Sequence, residues 1–137
     1  KGTANKEARD VLGTLHNPHI ALFATAGVPP QMAHAKESLI NAANCLPDGV
    51  EPVGTFICQG KVDPKVIEMM YKMFPKGHSH GQSADRDARH KQAAVHPNED
   101  DFKAAQDFAQ YILAKLDRWI KAVPLWGTAF VILYMML

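Results

Sequence analysis

Two short apolar runs, each bounded by turn residues and each followed by a helical pattern, constrain the fold most strongly. The first is His19–Ala24 (HIALFA), preceded by Asn17-Pro18. The second is Val50–Cys58 (VEPVGTFIC), whose β-rich core is Val53–Cys58 and which is followed by Gln59-Gly60. Their length and their turn-forming flanks are typical of buried strands. Strands that alternate with helices predict an α/β protein with a parallel sheet and right-handed crossovers.

The segments between and after the strands predict helices. A first helix is predicted over Ala4–Leu15 with Thr3 as its cap, and a second over Gln31–Cys45. Asp63 followed by Pro64 is typical of a helix start, which predicts a third helix that ends near Phe74. Ala84–Val95 is so polar that a helix there would lie exposed. The last helix begins with acidic residues at Asn98–Asp101, and its apolar positions follow the 3.6-residue period: Phe102, Ala105, Phe108, Ala109, Ile112, Leu113, Leu116 and Ile120.

Two strands are few for a sheet, because they leave strand edges and helix faces uncovered. Either this chain pairs with another, or an N-terminal half of the domain is missing from the sequence. The opening Lys1-Gly2-Thr3 reads like the loop after a strand, so we expect missing sequence.

Charge and cysteine content narrow the function class. The 137 residues carry 15 Lys and Arg against 14 Asp and Glu, which gives a net charge of +1. That balance, without a basic run, argues against a nucleic-acid partner. Cys45 and Cys58 form no framework or CxxC pattern, which favours two thiols in a reducing cytoplasm, and the first thirty residues show no signal peptide.

The last 16 residues, Ala122–Leu137, carry no charge. They are fewer than the ~20 apolar residues of a spanning helix, although Trp119 and Trp126 beside Arg118 and Lys121 resemble an interfacial anchor. Three interpretations stay open: part of a membrane helix, a core or interface segment, or sequence read out of frame. We predict a hydrophobic C-terminal helix, with membrane association through Ala122–Leu137 as one alternative.

Four of the seven histidines lie in one polar stretch: His78, His80, His90 and His96. A His-x-His pair with two more histidines is compatible with zinc or copper, but the spacing fits no compact site, and solvated histidines are the simpler interpretation. No nucleophile with a partnered base is apparent, so no catalytic or metal-ligating residue is assigned.

Several segments in order resemble the C-terminal part of a flavodoxin-family domain. They are Lys1–Ala4, HIALFATAG (His19–Gly27), GTFICQGKVDPKVIEMM (Gly54–Met70), MFPKGH (Met73–His78) and HPNEDDF (His96–Phe102). The similarity is greatest to the branch with an insertion before the last helix. It implies a partial flavodoxin-like domain over residues 1–118, with a polar insertion at 76–97 and a hydrophobic tail at 119–137. The N-terminal strands and the phosphate-binding loop of the family are then absent from this sequence.

The resemblance also implies FMN as the cofactor of the intact protein, bound at the carboxyl ends of the parallel strands. In the family, segments that follow the strands line the flavin. The matching residues here are Gly2 and Thr3, then Thr25, Ala26 and Gly27, and finally Gln59 and Gly60. The loop at 25–30 lacks the aromatic side chain that flavodoxins often stack on the flavin.

The function implied is electron transfer to a redox partner protein, as a carrier rather than an enzyme. Two alternatives stay open. One is a degenerate flavodoxin-like module that binds a partner or a membrane without flavin. The other is a His-rich metal-binding protein.

Overall fold

A computed structural model describes residues 3–120 and 132–136. In this part of the chain, five helices and three strands follow one another along the sequence. They are α1 (Lys6–Leu12), β1 (Ala21–Ala26), α2 (Ala33–Ala43), β2 (Gly54–Gln59), α3 (Pro64–Met73), α4 (Ala84–Ala93), α5 (Glu99–Ile120) and β3 (Ile132–Met136). The prediction of an α/β protein with strands and helices in alternation is confirmed.

The three strands form one parallel sheet in the order β2-β1-β3, with β1 in the centre. The prediction of a hydrophobic C-terminal helix is wrong over Ile132–Met136, because these residues form a strand that pairs with β1 from Ala21↔Ile132 to Thr25↔Met136. Ile132 and Tyr134 have high strand propensity, and pairing with β1 satisfies backbone groups along the second edge of that strand. The remaining residues of the predicted tail helix lie outside the described part.

One face of the sheet carries the larger core, which joins α1 and α2 to the strands. Leu22 and Ala24 of β1 lie in this cluster, and Ile57 of β2 packs against it. The other fully or nearly buried members come from the helices and the connections: Ala4, Leu12, Ile20, Ala42 and Leu46. The alternation of side chains along β1 therefore assigns Leu22 and Ala24 to one helical layer.

The opposite face is covered by α5. Phe23 and Phe56 are register partners whose ring centroids lie 5.3 Å apart, and the Phe56 ring stacks on Phe108 of α5 at 5.4 Å. Ile112 and Leu116 are buried in the same layer with Val53. A Cβ atom at Gly54 would lie 2.6 Å from Cδ1 of Ile112, so glycine lets α5 approach β2 closely.

The buried face of α5 is narrower than its sequence pattern predicts. Phe102 and Leu113 are more than half exposed, and Ala109 is exposed as well. The helix instead turns Lys115 towards the sheet, where its ammonium donates a hydrogen bond to the Val53 carbonyl oxygen at 2.8 Å. The aliphatic stem of a lysine covers apolar surface while the charged end reaches a polar group, so a charged residue replaces part of the predicted apolar face.

The predicted helix starts are largely confirmed, with one correction. Asp63 accepts a hydrogen bond from the Lys65 N–H at 2.8 Å, and Pro64 is the first residue of α3. Asn98 and Asp101 form a capping box, since the Asn98 side chain accepts from the Asp101 N–H and the Asp101 carboxylate accepts from the Asn98 N–H. The cap of α1 is Asn5 rather than Thr3, because the Asn5 side chain accepts from the Ala8 N–H.

The polar stretch at 76–97 contains α4, which is exposed along most of its length as predicted. Ser83 caps the helix by accepting from the Arg86 N–H, and the Tyr71 hydroxyl donates to Asp87 at 2.8 Å. Only Ala93 of α4 is buried. Polar contacts with α3 therefore position α4, with little help from apolar burial.

Among the helices of the described residues, none is both long enough and apolar enough to cross a membrane. The predicted division into a domain at 1–118 and a tail at 119–137 stays a prediction.

Replacement of Ile112 by Ala tests the attachment of α5. We expect the free energy of unfolding to fall by about 2–5 kcal/mol, because the substitution leaves a cavity against Val53 and Gly54. Leu113→Ala is the matched control: Leu113 is the next residue of the same helix and is 56% exposed, so its change should stay within about 0.5 kcal/mol. Urea denaturation followed by circular dichroism measures both, and equal losses would contradict this packing.

Candidate functional site

The carboxyl ends of β1 and β2 form one buried edge of the sheet. In the parallel register Thr25 lies opposite Cys58 and Ala26 lies opposite Gln59, so both strands end at the same level. All four residues are buried. The predicted strand at 19–24 is displaced by two residues, since β1 runs over Ala21–Ala26. Thr25 and Ala26, predicted to lie in a turn, are therefore the last two residues of the strand, and the turn begins at Gly27.

Gly60 joins the two strand ends. Its N–H donates to the Ala26 carbonyl oxygen at 2.8 Å, which prolongs the ladder by one hydrogen bond beyond Gln59. A Cβ atom at position 60 would lie only 3.2 Å from Cβ of Thr25. Glycine at this position therefore lets the chain leave β2 directly over the end of β1.

The segments that follow the two strands also touch. A Cβ atom at Gly27 would lie 2.3 Å from Cγ2 of Val62, so the Val62 side chain occupies the space beside the glycine. Val62 is not among the predicted site residues, although an apolar residue between Lys61 and Asp63 is a usable signal of a packed loop. These contacts bring together five of the seven predicted flavin-site residues: Thr25, Ala26, Gly27, Gln59 and Gly60.

Gln59 is the most informative residue at this edge. Only 2% of it is exposed, and its amide nitrogen Nε2 is buried without a hydrogen-bond partner in the part of the chain that the structure describes. An unsatisfied buried donor costs about 1–3 kcal/mol, so such groups call for an explanation, and a ligand acceptor is one. The sequence identified the position of Gln59 at a strand end but could not show that its amide is unpaired.

The other predicted wall, Gly2 and Thr3, is not brought to this edge by any contact described above. Gly2 lies outside the described residues, and Thr3 is exposed immediately before Ala4, which packs into the core with Leu12. Their assignment to the flavin site stays a prediction.

Cys58 lies at the same edge on the α5 side. Burial raises the pKa of its thiol, and the nearby Asp101 carboxylate raises the pKa further. Because the thiolate is the nucleophilic form, these surroundings keep Cys58 unreactive near neutral pH. Neither cysteine, both within the described chain, is disulfide-bonded.

The four clustered histidines have separate surroundings. The rings of His78 and His80 both contact Phe74, with centroid distances of 4.6 and 5.3 Å. His96 hydrogen-bonds to the Asp101 carboxylate at 2.5 Å. Within the described residues, no three His, Cys, Asp or Glu side chains are grouped as ligands for a metal ion. The structure thus offers no support for the metal-binding alternative in this part of the chain.

His90 has the most distinctive environment of the four. Both its ring nitrogens are buried without a hydrogen-bond partner among the described residues, and its ring lies 6.1 Å from that of Tyr71. Burial lowers the pKa of His90; Arg86 and Arg89 lower it further, while Asp87 opposes them. The folded protein therefore resists protonation of His90 more than the unfolded chain does.

A pH dependence of stability follows. As the pH falls below the unfolded-state pKa of His90, about 6.5, the unfolded chain binds a proton at this residue and the folded protein does not. The free energy of unfolding therefore decreases with falling pH, and this decrease ends once the pH is below the lower pKa of His90 in the folded state. We expect the drop in stability between about pH 7.5 and 5.5 to be smaller in His90→Gln than in the wild type. Exposed His34 provides the control substitution His34→Gln. Urea denaturation at each pH measures the effect, and an unchanged slope in His90→Gln would contradict it.

The geometry is that of a parallel α/β sheet, and such sheets bind ligands at the carboxyl ends of their strands. Here that edge holds the buried Gln59, whose amide nitrogen has no partner among the described residues. Comparison with known families agrees, since a family model described as a flavodoxin domain matches residues 1–110. The chain belongs to the flavodoxin family.

Two curated relatives are similar to the chain. A protein named flavodoxin-like domain-containing protein BilS from Clostridioides difficile is 30% identical over 119 residues, covering 84% of this chain and 65% of the relative. A protein of the same name from Clostridium symbiosum is 34% identical over 92 residues, covering 66% of this chain and 48% of the relative. The chain thus spans between about half and two-thirds of the length of these relatives.

Proposed function

We propose that the intact protein holds FMN at the carboxyl edge of its sheet and carries electrons to a redox partner protein. Family membership supports the cofactor, and the buried amide nitrogen of Gln59, which has no partner in the described part of the chain, supports the place where it binds. That amide is the single observation on which the proposal depends, because it is a polar group whose burial is explained by a ligand acceptor.

The residues at this edge of the sheet fit a ligand that has an aromatic ring with polar atoms along its edge. The Gln59 amide would donate a hydrogen bond to an oxygen or nitrogen of the flavin ring, which presents acceptors along one edge. Thr25 and Ala26 are buried beside it, so the ring would meet protein rather than water there. When bound, FMN supplies the capacity to accept and release one or two electrons.

The loops after the strands would set the shape of the site. Val62 against Gly27 and Gly60 over Thr25 hold the two segments in contact. The Gly60 N–H donates to Ala26, so this glycine would act through the position of the chain rather than as a donor to the ligand. The segment at 25–30 has no aromatic residue, so a stacking side chain would come from elsewhere in the protein.

Electron transfer, rather than conversion of a substrate, is the activity that these surroundings favour. Cys58, the nucleophilic side chain at the buried edge, is kept as a thiol by burial and by Asp101. The protein would therefore hold and tune the flavin, while the redox chemistry belongs to the cofactor.

Binding of FMN is tested with the product of the whole gene and with this chain alone. We expect the gene product to quench FMN fluorescence at a one-to-one ratio. Gln59→Leu should weaken binding about tenfold, since a lost hydrogen bond to a buried partner is worth about 1.4 kcal/mol. Isothermal titration calorimetry gives the dissociation constants.

Gln110→Leu is the matched control, because Gln110 is an exposed glutamine on α5 and undergoes the same change. Its affinity for FMN should equal that of the wild type. Absence of FMN binding by the gene product would contradict the proposed cofactor. Equal affinity of Gln59→Leu and the wild type would contradict the proposed position of the flavin.

The midpoint potential provides a second measurement on the same substitution. A donor beside the flavin stabilises the electron-rich reduced form, so Gln59→Leu should make the potential of the bound flavin more negative. Spectroelectrochemical titration measures it, with Gln110→Leu again as the reference. A potential unchanged or more positive in Gln59→Leu would show that this amide does not face the ring.

A further inference from the structure

Helix α3 carries two apolar stripes, and only one of them is covered. Ile67, Met70, Tyr71 and Phe74 are half-buried and recur at the spacing of a single helix face. Val66, Met69 and Met73 recur at i, i+3 and i+7, and they are 41%, 52% and 59% exposed. No residue of α3, all of which the structure describes, is buried. Within the described residues, the second stripe is therefore an apolar surface that nothing covers.

The contacts of α4 leave this stripe open. Tyr71 belongs to the half-buried face and donates to Asp87 of α4, and the His90 ring lies on the same side. Met69 is two residues from Tyr71 along the helix, so it points to a different side. The polar insertion is thus held by the first stripe and does not cover the second.

Lysines border the exposed stripe. Lys65 precedes Met69 by four residues and Lys72 follows it by three, so both lie beside Met69 on the helix surface. Lys76 follows Met73 by three residues, and Lys61 precedes the helix. Against these four lysines the segment 61–76 has two carboxylates, Asp63, which caps α3, and Glu68, which pairs with Lys72 at 2.6 Å, so its net charge is +2. The surface around the stripe is therefore basic.

The amino-acid composition of the exposed stripe favours binding to a protein over binding to a lipid surface. Helices that lie in a membrane interface carry Trp, Phe or Leu on the apolar side, whereas this stripe consists of one Val and two Met. Methionine side chains are flexible and polarisable, which suits adaptable protein recognition surfaces. The lysine border is complementary to acidic side chains, and complementary charge steers and orients protein partners.

We propose that the α3 face formed by Val66, Met69 and Met73 is a docking surface for a protein partner that presents an apolar patch bordered by Asp and Glu. Helix α3 begins four residues after Gly60, and Val62 in the connecting loop packs on Gly27. A partner bound to α3 would therefore lie beside the carboxyl edge of the sheet. The docking itself does not depend on a bound flavin, so it is testable without FMN.

The experiment uses the product of the whole gene, without FMN and with methyl-labelled methionine, and a synthetic amphipathic helical peptide that has Leu on one face and Glu on the other. We expect saturable binding that shifts the Met69 and Met73 methyl resonances and weakens as salt is added, because salt screens the lysine–glutamate attraction. The charge-reversed peptide, with Lys in place of every Glu, should bind at least about tenfold more weakly.

Matched variants locate the surface. Met69→Gln should weaken binding of the acidic peptide about tenfold, which is the size expected for a central interface residue. Lys65→Glu should also weaken it, because the reversed charge repels the glutamates of the peptide. Leu113→Gln and Lys103→Glu make the same kinds of change at exposed positions of α5, and they should bind as the wild type does. Circular dichroism checks that every variant is folded.

Several outcomes would overturn the proposal. One is equal binding of the acidic and basic peptides, and another is loss of binding in Leu113→Gln rather than in Met69→Gln. Binding of the chain to vesicles of anionic phospholipid, abolished by Met69→Gln, would assign the face to a membrane surface. A concentration-dependent dimer, measured by light scattering and abolished by the same substitution, would assign it to a second copy of the chain.

Discussion

The parallel pairing of β1 with β2 is the interaction on which the rest of the structure depends. Six register pairs, from Ala21↔Gly54 to Ala26↔Gln59, align the two strands so that they end together. Because side chains alternate along a strand, this register also assigns each residue to one face of the sheet. Leu22 and Ala24 pack in the core with α1 and α2, and Phe23 packs on the opposite face of the sheet, which α5 covers. A slip of one residue would exchange the two layers and separate Gln59 from Ala26.

Helix α5 connects the buried sheet with the polar part of the chain. Phe108 and Ile112 pack over Gly54, and Lys115 bonds to the Val53 carbonyl oxygen. At the other end of the helix, Asp101 completes the capping box with Asn98, binds His96 and raises the pKa of Cys58. The Asp101 carboxylate thus stabilises the start of α5 and, through His96, connects this helix to the polar insertion at 76–97. It also adds to burial, which is the larger effect, in raising the pKa of the Cys58 thiol.

The proposed flavin edge and the proposed docking face are neighbours because a short loop separates them. Gly60 ends the ladder, Val62 packs against Gly27, and α3 begins at Pro64. Before this loop lies the buried Gln59, whose amide nitrogen has no partner among the described residues, and after it lie the exposed Met69 and Met73. The same few residues therefore connect a buried polar site to an exposed apolar surface.

Local patterns in the sequence determined the alternation of strands and helices, the start of α3 at Asp63-Pro64 and the capped start of α5, because turn and capping chemistry acts over a few residues. The ordered motifs also indicated the family, and they selected Gln59 and Gly60 as residues of one edge. Only the tertiary structure decided that β1 extends to Ala26, that Ile132–Met136 form a strand and that Lys115 replaces part of the apolar face of α5. It also decided that the Gln59 amide nitrogen is buried without a partner among the described residues. These features depend on hydrogen bonds and contacts between residues far apart in sequence, which a local pattern does not specify.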